Sequence, residues 1–336
     1  MTTRPRVSVL VINYNYGRYL PRAIESVLAQ DLEPADLEVI VVDDGSTDDS
    51  AERVRPYLGR VRWLTQPNGG QVSAFNAGFR EARGEYVALL ESDDWWEKGK
   101  LSKALAGLEK DPEAALIQHW MLQVDDDGRR LPGYSYPPGP SRFSLEDTLE
   151  GRIPTAGTSC IVFRAERLRP FLPLPSRFQY GADICLRLLA ATMGPIANIP
   201  EVLGCRRIHG GNLFGETIYD SPRKLAQALP FHTALIDYQR AQVERIGRAL
   251  DPVFVRRLEG DRLQMELFLH RYNGDYPRAA GAWLALLRHS GARLYTVFKV
   301  LSLLIALVSP AWYLAAHRLY ARGSSLRRLR RTFFPE

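Results

Sequence analysis

Cysteine is scarce: three residues in 336, Cys160, Cys185 and Cys205. An odd number at these spacings builds neither a zinc site nor a disulfide framework, and it points to a reducing compartment. Phosphate-loop signatures are missing as well. No G-x-x-x-x-G-K-[ST] occurs anywhere, and no G-x-G-x-x-G follows the first apolar run. P-loop and dinucleotide-binding readings therefore have no support. There is no internal repeat and no low-complexity tract. The N-terminal apolar run stops at Ile12 and enters Asn13-Tyr14-Asn15, so it is too short for a signal peptide and reads as a first strand. Acidic residues are missing from one place in particular. Arg318, Arg322, Arg327, Arg328, Arg330 and Arg331 follow one another with no acid between them. Removing these six leaves 38 basic and 38 acidic residues, so the tail carries the whole formal charge of +6.

What is present is a strand–helix alternation. The chain is 46% hydrophobic and 24% charged, enough for one large core or a domain with an appendage. Val7 to Ile12 reads as a buried strand, and Leu20, Ile24, Val27 and Leu28 follow at helical spacing. Leu37 to Val42 is a second strand, after which Ser46 or Thr47 is expected to cap a helix. Val61 to Leu64 is a third. A turn at Gln66–Gly70 leads into a helix from Gln71 to Ala82, and Gly84 ends it. This order predicts a doubly wound α/β, mostly parallel sheet.

The fourth strand carries the chemistry. Val87 to Leu90 is apolar, and Glu91, Asp93 and Asp94 then arrive within four residues. A buried strand that ends in clustered acids is costly unless something neutralises them. One reading is a divalent cation with oxygen ligands, itself holding phosphate, at the carboxyl end of a strand where α/β ligands bind. The other is a solvated turn with acids favoured by a helix dipole. Two more loops leave the same sheet edge, one with Tyr14 and Asn15 and one with Asp43 and Asp44. An aromatic face, a carboxylate and an acidic cluster at three strand ends suit a nucleoside diphosphate.

These pieces, VSVLVINYN, EVIVVDDGSTDDS, QPNGGQVSAFNAG and GEYVALLESDDWW, stand in an order and spacing that resemble family 2 glycosyltransferases. The resemblance covers residues 7 to 210. It implies the GT-A fold and an inverting transfer from a nucleoside-diphosphate sugar, with Mg²⁺ or Mn²⁺. On the donor side it places Tyr14 against the base and Asp44 on the base imino group, with Asn15, Gln71, Asn76 and Ser92 nearby. Asp93 would be the main metal ligand, joined by Glu91 and His209. Trp96, Gly157 and Thr158 fall on the acceptor side. Asp183, in Tyr180-Gly181-Ala182-Asp183, matches the aspartate that serves as general base. Three positions depart from the family: Glu91 replaces the first Asp of D-x-D, Ile12 a Thr that helps bind uracil, and Ala182 the Glu before the base. A UDP-sugar is the favoured donor. Val202 to Asn212 resembles the family's Y-R-x-H-x-x-N ending.

From the residues alone, several of these positions keep a second reading. Asp183 opens an apolar helix, where an aspartate is commonly a cap. The Thr155–Ser159 turn is either an acceptor contact or a tight start to the strand after it. Asp125-Asp126-Asp127-Gly128 reads as a hairpin turn. The Pro-, Gly- and Tyr-rich loop at 132–142 has the length of a substrate lid.

Residues 1–215 are expected to form the nucleotide-sugar-binding and catalytic domain, 216–292 a helical appendage, and 293–336 an apolar helix with a basic tail. Leu294 to Ala316 is apolar but holds Lys299 and Pro310, so its uninterrupted part is short for a span of ~20 residues. Beside the arginines it fits an anionic membrane surface, ahead of RNA or solvated disorder. No nucleic-acid partner is expected. The whole reads as a non-processive bacterial enzyme at the cytoplasmic face of the inner membrane. No Q-x-x-R-W segment of a processive synthase is present. The acceptor would be lipid-linked or a glycan. The rival from a different class is a non-catalytic scaffold of the same fold in a polysaccharide assembly system.

Overall fold

A computed structural model describes residues 4–134, 141–150, 152, 157–175, 177–178, 181–210, 212, 218–289 and 302–315. The chain divides into two units. One comprises Met1–His209 with Gln239–Ala249, and the other Gly210–Tyr238 with Leu250–Glu336.

The first unit is built on one ten-stranded sheet. Strand β1 (Val7–Asn13) is buried along its whole length. It lies between β2 (Leu37–Asp43) and β4 (Tyr86–Glu91), both parallel to it, with β3 (Arg62–Thr65) outside β2. Runs of Val, Ile and Leu without alternation are what a strand buried on both faces requires. Beyond β4 come β9 (Ile161–Arg164, antiparallel), β6 (Leu116–Val124) and β10 (Ile196–Arg207), the last two parallel to each other. The two-residue β5 (Trp95–Trp96) closes the far edge against β10.

Helices cover the faces. In α1 (Leu20–Leu28) the buried residues are Leu20, Ala23, Ile24 and Val27, one stripe at helical spacing. Helix α4 (Lys100–Lys110) buries Leu101, Ala104, Leu105 and Leu108 in the same way, against the core that contains Val9, Val11 and Leu90. Each of the Leu, Ile and Val side chains contributes roughly 1.5–3 kcal/mol on burial. Between them in chain order lie α2 (Ser50–Val54) and α3 (Gln71–Glu81). The expected Ser46 or Thr47 cap is not formed. Helix α2 starts later, and its Ser50 N–H donates to Asp48 Oδ1 at 3.0 Å, while the Ser46 hydroxyl donates to Asp43. The Asp125–Gly128 turn does join β6 to β7 (Arg130–Tyr134), with Gly128 at φ +83°. Residues 135–140 of the expected lid lie outside the described residues, and β7 takes its first part.

After β8 (Arg142–Phe143), α5 (Leu145–Leu149) and α6 (Ala165–Leu168) comes α7 (Ala182–Met193), whose N-cap is Gly181 at φ +75°. Helix α8 (Pro222–Glu244) follows. The second unit is helical, with α9 (Pro252–Tyr272), α10 (Tyr276–His289) and α11 (Leu304–Val308). Met265, Leu267, Phe268, Ala282, Leu286, Leu303, Ala306 and Leu314 belong to its core. Asp251 caps α9 by accepting from Val253 and Phe254 N–H, and Arg271 donates to the last carbonyls of α11. Among the described residues no helix is long and apolar enough to cross a membrane. The tail arginines and residues 294–301 lie outside the described residues.

Candidate active site

Parallel pairing aligns the ends of β1, β2 and β4. Asn13 lies beside Asp43, and Ile12 beside Glu91. Three loops therefore leave one sheet edge together. Asn13, fully buried, donates to Asp43 Oδ1 at 2.8 Å and to Ser50 Oγ at 3.0 Å, which ties two of these loops. Tyr14 then projects outward, 45% exposed, as an aromatic face open to a ligand. Asn15, at φ +56°, uses its side chain on the neighbouring loop, accepting from Thr47 N–H at 2.7 Å.

Asp44 is buried and already engaged. Oδ1 accepts from Gln66 and from Gly69 N–H, and Oδ2 from Gly70 N–H at 2.7 Å. It anchors the turn that leads into α3. Gly45 makes this packing possible: at φ +77°, an added Cβ would lie 2.8 Å from Asn68 N.

The acids after β4 take separate tasks. Asp94 is a buried scaffold group, accepting from Ser159 Oγ at 2.6 Å and from Arg207 N–H at 3.0 Å. Asp93 is buried, with its Oδ2 3.1 Å from His209 Nε2. Glu91 accepts from Gln71 Nε2 at 2.7 Å. Burial first, and the charge of Asp93 second, push the Glu91 carboxyl up to about 7. The same two causes raise Asp94 well above the ordinary carboxylate range. Ser92 Oγ is buried with no hydrogen-bond partner among the described residues.

Asp183 comes to this region on the first turn of α7. Gly181 takes the N-cap position, and no side chain caps the helix. Burial raises the Asp183 carboxyl above its ordinary value, against the opposing pull of Arg187. Gln71 links it to β4: its Nε2 donates to Glu91 and to Thr158 Oγ1, and its Oε1 accepts from Ala182 N–H. Gln71 thus bridges Glu91 and the helix that carries Asp183.

Two further expected site residues make contacts within the fold. Asn76 clamps Leu174, donating to its carbonyl and accepting its N–H, both at 2.9 Å. Trp96 belongs to the core: it is 3% exposed, its Nε1 donates to Ser159 O, and the buried Lys100 Nζ lies 3.6 Å from its ring centroid. Gly157 is partly exposed and Thr158 buried beside Gln71, whereas Thr155 and Ala156 lie outside the described residues.

Sequence reasoning missed Ser159 and Arg207. Ser159 Oγ serves two acids, accepting from Glu91 N–H and donating to Asp94. Arg207 donates through Nε to Asp93 O at 3.1 Å and lies over the rings of Tyr19 and Trp95. Burial of Arg207 in the strand partner of a two-residue edge was not visible from spacing.

Among the described residues, no three His, Cys, Asp or Glu side chains are grouped as a ready metal site. The donor set nevertheless fits a hard cation. Mg²⁺ is commonly held by one or two carboxylates, with substrate phosphates filling its remaining positions. Asp93 and His209 offer an oxygen and a nitrogen side by side, and Glu91 is near enough to feel the Asp93 charge.

Residues 8–170 match the family described as glycosyl transferase family 2. That stretch belongs to this family. An uncharacterised glycosyltransferase of Nostoc sp. is 35% identical over 219 residues, covering 62% of this chain and 66% of that protein. The chain spans only 21% and 30% of the chondroitin synthases that it matches in Pasteurella multocida and Escherichia coli. Among solved structures, Staphylococcus aureus TarS 1–349 in complex with UDP superposes with a TM-score of 0.58 at 19% identity, covering 92% of this chain and 87% of TarS. A mannosyltransferase of Pyrobaculum calidifontis in complex with GDP-Man and Mn²⁺ gives 0.54 at 19% identity, covering 96% and 89%. At these identities the structures establish the fold. The family 2 match covers β1 to β4, and with them the loops that follow β1, β2 and β4 at one sheet edge.

Proposed function

We propose that the protein is a divalent-metal-dependent, inverting glycosyltransferase that uses a nucleoside-diphosphate sugar. The observation that carries this is the pairing of two distinct carboxylate environments at one sheet edge. Asp93, beside His209, is suited to a cation and diphosphate. Asp183, raised by burial and tied through Gln71 to Glu91, is suited to take a proton. Tyr14 offers the open face for the base.

Asp93 and His209 would hold the Mg²⁺ or Mn²⁺, with Glu91 beside them. Bound there, the cation would supply charge neutralisation for the departing diphosphate. Asp183 accepts the acceptor hydroxyl proton as that oxygen bonds to the anomeric carbon and the bond from that carbon to the diphosphate breaks. Attack opposite the leaving group inverts the anomeric configuration. The complexes of related folds with UDP and with GDP-Man and Mn²⁺ support the donor class, and a UDP-sugar is the favoured member.

The acceptor is proposed to be a lipid-linked or polysaccharide glycan at the cytoplasmic face of a bacterial membrane. Support comes from the apolar surface of the last described helices. Leu304, Ile305, Val308 and Trp312 are exposed at helical spacing, directly ahead of the arginine-rich sequence. Residues 1–215 would be the catalytic domain, with the helical remainder as the membrane-facing part.

A panel of nucleotide sugars screened by thermal shift with Mn²⁺ tests the donor reading, since a ligand bound by the native state alone raises the melting temperature. A Mn²⁺-dependent rise with one UDP-sugar is the expected result, and no response to any nucleotide sugar would refute it.

A further inference from the structure

His209 is held between two tyrosines of the first loop. Its ring centroid lies 5.1 Å from that of Tyr16, edge-on at 90°, and 5.1 Å from that of Tyr19 at 38°. The two tyrosines pack on each other with centroids 6.0 Å apart. His209 and Asp93 are both buried, and this cage faces Nε2 toward Asp93 Oδ2. The cage is pinned in turn from across the sheet. The Tyr19 hydroxyl and the Arg18 guanidinium both donate to Asp126 Oδ1, at the tip of the β6–β7 hairpin. Arg207, over the Tyr19 ring, donates to the Asp126 carbonyl and to the Asp93 carbonyl. An unbroken series of contacts therefore runs from Asp126 through Tyr19 and His209 to Asp93.

We infer that Asp126 and Tyr19 are positioning residues for the metal and diphosphate site: the hairpin tip fixes the Tyr19 ring, and the ring fixes the His209 imidazole against Asp93. This inference rests on the role proposed for His209. The hairpin needs only a turn residue at position 126, and Asn would serve a turn as well as Asp. A carboxylate that collects Tyr19, Arg18 and the neighbouring Arg207 contact does more than close a turn. Groups that orient a metal ligand from behind are typically worth about 10–100-fold in metal affinity or activity.

Two readouts on the full chain separate the inference from the reading beneath it. The first is the ¹⁵N spectrum of the histidine rings without metal, with His209 assigned by its loss in His209→Ala. Tyr19→Phe and Asp126→Asn should each move the His209 ring resonances and leave those of His270 and His289 in place. The second is calorimetric titration with UDP, with and without Mn²⁺. Each variant should weaken the Mn²⁺-dependent affinity about tenfold and leave metal-free UDP binding unchanged. The double variant should be no worse than either single one, because the two groups act through one contact. If His209→Ala loses the Mn²⁺-dependent affinity while Tyr19→Phe and Asp126→Asn keep it, the positioning inference alone is wrong. If His209→Ala keeps it, the metal-site reading of His209 fails and the inference falls with it.

Discussion

Gln71 and Glu91 are joined by a 2.7 Å hydrogen bond that spans the two halves of the candidate site. The same amide accepts from Ala182 N–H at 3.2 Å, one residue before Asp183. One side chain thus sets the distance between the acidic end of β4 and the first turn of α7.

Gln71→Ala removes that tie. It leaves the Glu91 carboxyl and the Ala182 N–H without this partner, which should cost about 1–3 kcal/mol of stability. Urea unfolding measures the loss. UDP affinity should change less than turnover, because Tyr14 and Asp93 stay in place.

His119 provides a pH signature independent of the site. It is 2% exposed, and burial first, with the Lys100 charge second, lowers its pKa to about 3. Between pH 6.5 and that value the unfolded chain binds the proton and the native state does not, so stability falls as pH falls. From pH 6.5 to 5 the loss from this group is about 2 kcal/mol. Urea unfolding of His119→Gln at pH 5 and 7 should show a pH dependence flatter by that amount.

Asp93→Ala should abolish the Mn²⁺-dependent component of UDP binding and leave the sheet intact. Isothermal titration in Mn²⁺ and in EDTA checks both halves. Unchanged metal-dependent affinity would remove Asp93 from the role proposed for it.

Val308 and Trp312 are 64% and 68% exposed, whereas Leu303, Ala306 and Leu314 on the same segment are buried in the helical core. Cutting the segment away would therefore expose that core. Val308→Ser with Trp312→Ser leaves it covered, and should reduce flotation with phosphatidylglycerol vesicles relative to the unaltered chain. Equal flotation would count against the membrane surface.

The shared loop edge was legible in the sequence because parallel strands put their carboxyl ends together. Once Val7–Ile12, Leu37–Val42 and Val87–Leu90 read as buried strands, Tyr14, Asp43 and Glu91 had to share an edge. Family likeness, rather than spacing, singled out Asp183 and His209. Contacts made across long sequence separations were not legible. Nothing near Gln71 in sequence marks its bond to Ala182, 111 residues away. Nothing near Asp126 marks its bond to Tyr19, 107 residues away. The resemblance put Trp96 on the acceptor side, and nothing near it in sequence marks its contact with Lys100, whose Nζ lies 3.6 Å from its ring centroid. Side chains of Gln, Asn and Trp serve core and site equally well, so residue type alone does not separate the two uses.

The central claim is that Asp183 is the base of a metal-dependent glycosyl transfer, and Asp183→Asn tests it most directly. The amide keeps the size of the side chain but does not accept a proton at neutral pH. Gly181 holds the cap position, so no cap is lost. With the donor found by the thermal-shift screen, affinity and turnover are measured on the same preparation. The expected result is donor affinity within about twofold of the unaltered chain, with turnover lower by about 10²–10⁴-fold. Near-normal turnover with intact donor binding would contradict the account and move the base elsewhere.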